Sequence, residues 1–366
     1  TKKKIFASID RMTTTKKMLT EKYMQVKFKI GRIPTIIDFY KLGEIDPMLF
    51  INYAKTYDNF QRCLDKGSEV DKDYTVVFTE KEEQILAFIS SLIIDGKRPH
   101  ELLMLKMMLD GKSVAIDSFA KELVSIGEKF KEADYNSAVR MMSLEFVAGA
   151  DANKFAQIEL LSKLDLKSGL LKRSIAFLDK LNNTKFREEI SNLLDYGMMR
   201  YKDMYANHDE NNLVLYGKYS RKDVCRLMNW DKDESSTMYG YRIKHGTCPI
   251  FVTYEKKDDI SESTKYEDQF INQKTFSWLT RSNVAIDNRE SQEIINYKNS
   301  GLKIVLFIKK SDGEGTDFYY MGEVVPKSWM QKTIKNNKGK ELPIMNFILE
   351  LEHSVREDIY EYIVNS

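Results

Sequence analysis

KIVLFIKKSDGEGTDFYYMGEVV, residues 303–325, sets two short apolar runs on either side of a polar loop holding two glycines. KIVLFIK (303–309) and FYYMGEVV (318–325) are too short for ordinary helices and rich in β-branched and aromatic side chains. SDGEGTD supplies the glycines a tight connection needs, so the stretch predicts a β-hairpin. Alternation along the second run puts Phe318 and Tyr320 on one face and Tyr319 and Met321 on the other, leaving one phenol with no need to be in the core.

The same texture recurs nearby. CPIFVTY (248–254) and MNFILELE (345–352) are further short, turn-bounded apolar runs, and RKDVCRLMNW (221–230) reads as one short helix. All three tryptophans, Trp230, Trp278 and Trp329, lie beyond the polar, hinge-like run NHDENN (207–212). The segment 206–366 is therefore expected to be a mixed, strand-dominated domain with a curved sheet or partial barrel.

Upstream the periodicity changes. No proline occurs between Pro99 and Pro249, and in 184–205 Phe186, Ile190, Leu193, Leu194 and Met198 recur at helical spacing with Thr184 as the expected N-cap. Thr79 and Glu82 before ILAFISSLII have capping-box spacing. SVAIDSFAKELVSIG and GLLKRSIAFLDKL repeat the three–four pattern. Residues 1–205 thus read as an all-α region, and the fold class is α+β.

The 366 residues are 42% hydrophobic and 31% charged, the composition of a water-soluble globular chain, with a net charge of +2 that neither demands nor excludes nucleic acid. No apolar run is long enough to span a membrane. The chain opens on Thr1 rather than Met, as expected of a piece of something longer. Cys63, Cys225 and Cys248 form no Cys-x-x-Cys pair, and the four histidines are dispersed. Neither a disulfide framework nor a metal site is expected, and a reducing cytoplasm fits.

Motif-like fragments are weak. GKS (111–113) lacks the glycine five residues earlier that a phosphate-cradling loop requires; Lys106 stands there, so the fragment reads as a polar turn between helices. Asp312, Glu314 and Asp317 lack the spacing of a calcium loop. Asp317, Glu323 and Lys327 have the residue types of a metal-dependent nuclease without its tight spacing. No catalytic residue is assigned, and the chain by itself is expected not to be an enzyme.

Aromatic residues in the carboxyl half are the remaining signal. KYEDQFINQKTFSWLTRSN (265–283) places Tyr266, Phe270, Phe276 and Trp278 close to Asp268, Arg281, Ser282 and Asn283, and Tyr239-Gly240-Tyr241-Arg242 pairs rings with a cation. Flat rings beside such groups suit a pocket that stacks on a planar heterocycle and reads its edge. A packed core with a polar rim has the same composition.

LYGKYSRKDVCRLMNW, YGYRI, TCPIFVTY, DISESTKYEDQF, TFSWLTRS, LFIKKSDGEGTDFYYMGEV and LPIMNFILELEHSVRED follow one another in this order. Together they resemble the C-terminal domain of SauUSI-type, type IV modification-dependent restriction enzymes. GRIPTIIDFYKLGEIDP (31–47) is similar to the sequence that follows the helicase motor in those enzymes. The resemblance implies a helical connector over 1–205 and, over 206–366, an SRA-like (SRA/PUA-type) reader of DNA carrying 5-methylcytosine or 5-hydroxymethylcytosine. The modified base would be flipped into a pocket, and recognition would direct an ATP-dependent helicase and a phospholipase-D-like nuclease of the same parent chain. ATP and magnesium would belong to that motor, and no cofactor is expected here. Extruding a base costs a few kcal/mol, and stacking returns about 1–3 kcal/mol per base, so two rings are near the minimum.

On this reading Trp278 and Tyr320 stack on the base, Phe276 or Tyr239 lines the methyl side, and Asp268 accepts from the exocyclic amine. Arg281, Ser282 and Asn283 contact the backbone or fill the vacated space, while Lys309, Lys310 and Arg242 contact phosphates. Two other functions are compatible with the sequence: a metal-dependent nuclease centred on Asp317 and Glu323, and a docking platform for the motor.

Overall fold

The computed structural model describes residues 12–43, 45–65, 74, 76–161, 171–255, 268–336 and 339–365. The chain divides into two compact units, Thr1–Ala206 and Asn207–Ser366.

The first unit is helical: α1 (Met12–Ile30), α2 (Ile36–Leu42), α3 (Met48–Ala54), α4 (Tyr57–Asp65), α5 (Glu80–Leu92), α6 (Pro99–Leu109), α7 (Ile116–Ser125), α8 (Glu132–Met142), α9 (Gly149–Lys154), α10 (Ile175–Lys180) and α11 (Thr184–Met204). PHELLMLKMML makes α6 apolar on nearly every side, and every residue of it except Lys106 is buried. A helix with no polar face belongs in the middle; α6 packs against α7, α8 and α11. Gly197 lets α11 lie close to α6, because a Cβ there would stand 2.7 Å from Leu102 Cδ2.

Helix starts follow side-chain chemistry. Glu82 Oε2 accepts from the Thr79 amide at 2.7 Å while Thr79 Oγ1 accepts from the Glu82 amide, the reciprocal pair expected of the sequence. The expected cap at Thr184 is wrong by one residue. Asn183 caps α11, its Oδ1 accepting from the Lys185 and Phe186 amides at 3.1 and 3.3 Å, and Thr184 is already helical. Asparagine at this position reaches two orphan amides, which takes the role from its neighbour. Within GLLKRSIAFLDKL the helix covers only Ile175–Lys180, opened by Ser174; residues 169 and 170 lie outside the described residues. GKS is the polar turn expected between α6 and α7, with Gly111 at φ 76° and Lys112 paired with Glu122.

The second unit contains β1 (Lys218–Tyr219), α12 (Arg221–Leu227), β2 (Thr247–Thr253), β3 (Gln269–Asn272), β4 (Thr275–Leu279), α13 (Arg289–Ile295), α14 (Tyr297–Ser300), β5 (Lys303–Lys309), β6 (Phe318–Lys335), β7 (Glu341–Leu351) and α15 (Glu357–Val364). The sheet order is β2-β5-β6-β7-β4-β3, with β1 on the start of β6. Among the described strands only β2 and β5 pair in parallel; both are buried nearly throughout, as parallel strands covered on two faces are.

Strand β6 is long enough to serve both halves of the sheet. Its first residues pair with β5 and those from Val324 onward pair with β7, with irregularities at Met321 and at Lys327. Gly322, at φ 100°, supplies the backbone that the first irregularity needs. The sheet curls far enough for its opposite ends to meet. Tyr241, bridged to β2, contacts Trp278 of β4 edge-on at 5.0 Å, and Tyr254 at the end of β2 lies 6.1 Å from Phe270 of β3. Phe276, Trp278, Phe347, Leu349, Ile250, Leu306 and Met321 share one core inside that curve. The architecture is α+β with a curled, partial-barrel sheet. No helix among the described residues is long and apolar enough to cross a membrane.

Candidate functional site

The two rings expected to stack on a base are sealed. Trp278 is 2% exposed, with Tyr241 edge-on and Phe347 stacked on it at 5.7 Å. Tyr320 is 1% exposed on the opposite face of the sheet, in a second aromatic cluster with Phe307, Phe251 and Phe318. Phe276 is fully buried as well. None of these rings, as placed, offers a face to an incoming base. Tyr320 is covered because the β2–β5–β6 region is packed on both faces, and Phe276 and Trp278 because the sheet curls over them; alternation in a single strand reveals neither. The alternation itself holds: Met321 and the half-buried Tyr319 pack toward the main core while Phe318 and Tyr320 point away.

The Tyr320 hydroxyl donates to Asp209 Oδ2 at 2.6 Å, and its backbone exchanges hydrogen bonds with Tyr216 and Gly217. Burial, then the charge of Asp209, raise its phenol well above the ordinary value. Asn211 adds a bond to Glu323, and Lys303 one to Asn211. The polar run NHDENN, read as a hinge, is thus pinned to the sheet from Asp209 onward. Tyr320→Phe is expected to lower stability by about 1.5–3 kcal/mol, the range for a hydrogen bond to a charged group. Urea unfolding measures it, and an unchanged midpoint would mean that the bond is replaced by water.

Several predicted phosphate contacts are occupied within the chain. Lys309 is buried and pairs with Asp312 at 2.9 Å while donating to the Gly315 carbonyl. Lys310 donates to the Asn365 carbonyl at 2.6 Å and pairs with Glu255 at 3.6 Å. Arg242 pairs with Glu234 at 2.7 Å, and Lys244 shares that carboxylate. Lys309 thus ties the SDGEGTD connection back onto the end of β5 through Asp312 and Gly315. Among the described residues no three His, Cys, Asp or Glu side chains gather as metal ligands. The nuclease trio does not converge either: Glu323 bonds Asn211, Lys327 pairs with Glu350 at 2.7 Å, and Asp317 precedes β6. At about 3.3 Å per residue, Asp317 and Glu323 are roughly 20 Å apart along the strand.

The structure does gather other expected residues at one end of β4. Asp268 Oδ1 accepts from the Leu279 amide at 2.9 Å, so that oxygen holds the hairpin. Arg281, two residues beyond β4, stacks over the Tyr241 ring at 4.9 Å and pairs with Glu290. The Tyr241 hydroxyl donates to the same carboxylate at 2.8 Å, and burial first, with Glu290 next, raises its phenol far above normal. Ser282 is half-buried and Asn283 exposed, the latter at φ 66°, where asparagine is tolerated better than most side chains. Two residues before Tyr241, Tyr239 is 72% exposed beside Gly240 at φ 76°.

The outcome is a sealed aromatic floor of Trp278, Phe347 and Tyr241 with Arg281 and Glu290 joined over Tyr241, followed along the chain by Ser282 and Asn283, and with the exposed Tyr239 two residues before Tyr241. Such a rim offers a cation, hydrogen-bonding groups and one free flat ring. Tyr241 and Glu290 were missed as site residues. Tyr241 stands inside the aromatic run already singled out, whereas nothing local marks Glu290, which reaches the rim from α13. Cys225 and Cys248 are free and buried, and burial pushes the Cys225 thiol up to about 12. Of the remaining sequence features, the Tyr266 ring and the Cys63 side chain lie outside the described residues.

Comparison with known proteins gives three results. A search of curated proteins returned no match. Among solved structures, the chain is similar to "DNA modification-dependent restriction endonuclease AspBHI" (13% identity, TM-score 0.24, 32% of this chain and 34% of that one). It is also similar to "crystal structure of KRYPTONITE in complex with mCHG DNA and SAH" (9%, 0.28, 53% and 41%). A third is "Sulfur binding domain and SRA domain of ScoMcrA complexed with phosphorothioated DNA" (9%, 0.26, 72% and 88%). The chain spans about a third of the length of the first. Family models cover both units: residues 213–363 match "Domain of unknown function (DUF3427)" and residues 19–204 match "Domain of unknown function (DUF8090)". Because the second match takes in more than half of the 366 residues, the chain belongs to the DUF8090 family.

Proposed function

We propose that the C-terminal unit reads duplex DNA carrying a modified cytosine and that the helical unit relays this recognition to a helicase and nuclease of a longer parent enzyme. The ordered sequence blocks resembling SauUSI-type restriction enzymes support the reading, which places the activity in defence against modified foreign DNA. The observation that carries it is the rim at the end of β4. There Arg281, stacked on Tyr241, and its chain neighbours Ser282 and Asn283 border a fully packed core, and Tyr239, two residues before Tyr241, keeps its ring exposed.

The base would be flipped onto the rim rather than between Trp278 and Tyr320. Tyr239 would supply the stacking face. Asn283 and Ser282 would hydrogen-bond the base edge or the sugar–phosphate chain, and Arg281 would exchange part of its pairing with Glu290 for a phosphate. ATP and magnesium would serve the motor, and this part of the enzyme would hold no cofactor.

Fluorescence anisotropy with a 5-methylcytosine duplex and its unmodified counterpart tests the proposal. The methylated duplex should bind more tightly, and Tyr239→Ala should cost about 1–3 kcal/mol, the worth of one base-stacking ring. Equal affinity for the two duplexes would remove the reader function. An unaffected Tyr239→Ala variant would remove Tyr239 from it.

A further inference from the structure

From Ser328 onward β6 is an outer strand: only β7 pairs with it among the described residues, through Lys335 opposite Glu341. Every residue from Lys327 to Thr333 is exposed. KSWMQKTIKNNKGK, residues 327–340, contains five lysines and no carboxylate. Lys327 is used, paired with Glu350 at 2.7 Å. Lys332, Lys335 and Lys340 have no ion pair among the described residues, and the nearest acid in register is Glu341, across from Lys335.

The placement of these three cations matters more than their number. Strand alternation puts Lys332 on one face with Met330 and Ile334, and Lys335 on the other with Trp329, Gln331 and Thr333. Lys340 sits in the closing turn, its amide donating to Asn336 Oδ1 at 3.0 Å. Trp329 and Met330 are left 39% and 56% exposed, one on each face. At about 3.4 Å per residue, the strand from Ser328 to Lys335 is roughly 24 Å long. β7 is buried opposite Trp329, Met330, Gln331 and Lys332 and bonded on its other side to β4 and to the chain as far as Val284, so a ligand meets the outer edge of β6 rather than a free ribbon. Cations reaching out from both faces of that edge, with no carboxylate among them, suit the repeating phosphates of a nucleic-acid backbone. The occupant that fits is double-stranded DNA.

We propose that the outer edge of β6 and its closing turn form a sequence-independent clamp on the backbone phosphates of a duplex, acting through Lys332, Lys335 and Lys340. The proposal rests on the DNA-binding reading above and adds where the non-specific part of the affinity comes from.

The test compares the whole chain with K332E/K335E/K340E, and with the milder K332Q/K335Q/K340Q, on methylated and unmethylated duplexes over a series of KCl concentrations. Both duplexes should lose affinity by the same factor, tenfold or more for the glutamate variant. The slope of log affinity against log salt should shrink by roughly 2–3, since each phosphate contact contributes about 0.9. Unchanged melting checks the fold, and the glutamine variant decides the matter if the glutamate variant melts early. Unchanged affinity and slope in a folded variant would overturn the clamp and leave the lysines as protection of a bare strand edge. Loss of methyl preference alone would also overturn it. Wild-type binding without methyl preference removes the reader function while the slope still judges the clamp; no binding to either duplex removes both.

Discussion

Trp278→Ala is expected to lower the stability of the C-terminal unit by about 3–5 kcal/mol, the cost of emptying a large buried aromatic site. The ring is 2% exposed, stacked on Phe347 and met edge-on by Tyr241. Tyr241 in turn supports Arg281 and anchors Glu290, so the cavity would open directly beneath the rim. With domain stabilities of about 5–15 kcal/mol, such a loss should lower the denaturant midpoint severely. DNA affinity should fall only in proportion to the unfolded fraction. The opposite pattern, normal unfolding with lost binding, would show that Trp278 faces a ligand and that the buried position is wrong. Trp278→Phe should recover much of the stability.

Glu101→Ala should be at least as damaging to the helical unit. Arg98, the residue before α6, is 2% exposed and Glu101 is fully buried. The guanidinium donates from Nε to Glu101 Oε2 at 3.1 Å, makes a second bond to Oε1, and donates to Ser137 Oγ at 3.1 Å. Removing the carboxylate takes two charge-assisted bonds from a buried guanidinium, and breaking a buried pair in this way costs about 3–5 kcal/mol. Replacing both members together, Arg98→Met with Glu101→Leu, should restore most of the loss, because the desolvation penalty goes with the charges. Thermal unfolding of the two single variants and the double variant closes the cycle. A double variant as unstable as Glu101→Ala would mean that the pair is needed for its geometry. His100 lies between them; burial first and the charge of Arg98 second pull its imidazole down to about 4, so it adds no positive charge at neutral pH.

Local rules went a long way with individual elements. The Thr79–Glu82 capping box, the short helix after Ser220 and the β5–β6 hairpin form where side-chain pattern and turn residues place them. These depend on neighbours within a few positions, and sequence records such neighbours directly. The start of α11 shows the limit of that reading: Asn183 and Thr184 are both good caps, and only the path of the backbone selects the first.

The candidate site was less legible. Trp278, Arg281, Ser282 and Asn283 stay neighbours because one strand end carries them, but whether a ring is wall or core depends on what packs over it. Phe347 comes from 69 residues downstream and Tyr241 from across the curled sheet. Likewise, Arg242 and Lys309 look like free cations in sequence, and each meets a carboxylate in space.

The sequence by itself determined the change from helix to strand near NHDENN, the class of each half and the positions of most element starts, all of which follow from local periodicity and capping chemistry. Only the tertiary structure decided which aromatics are buried, which charges are neutralised and which strand is left as an open, lysine-bearing edge. Burial and pairing are properties of residues brought together by the sheet's curl, and no spacing along the chain encodes where that curl makes its two ends meet.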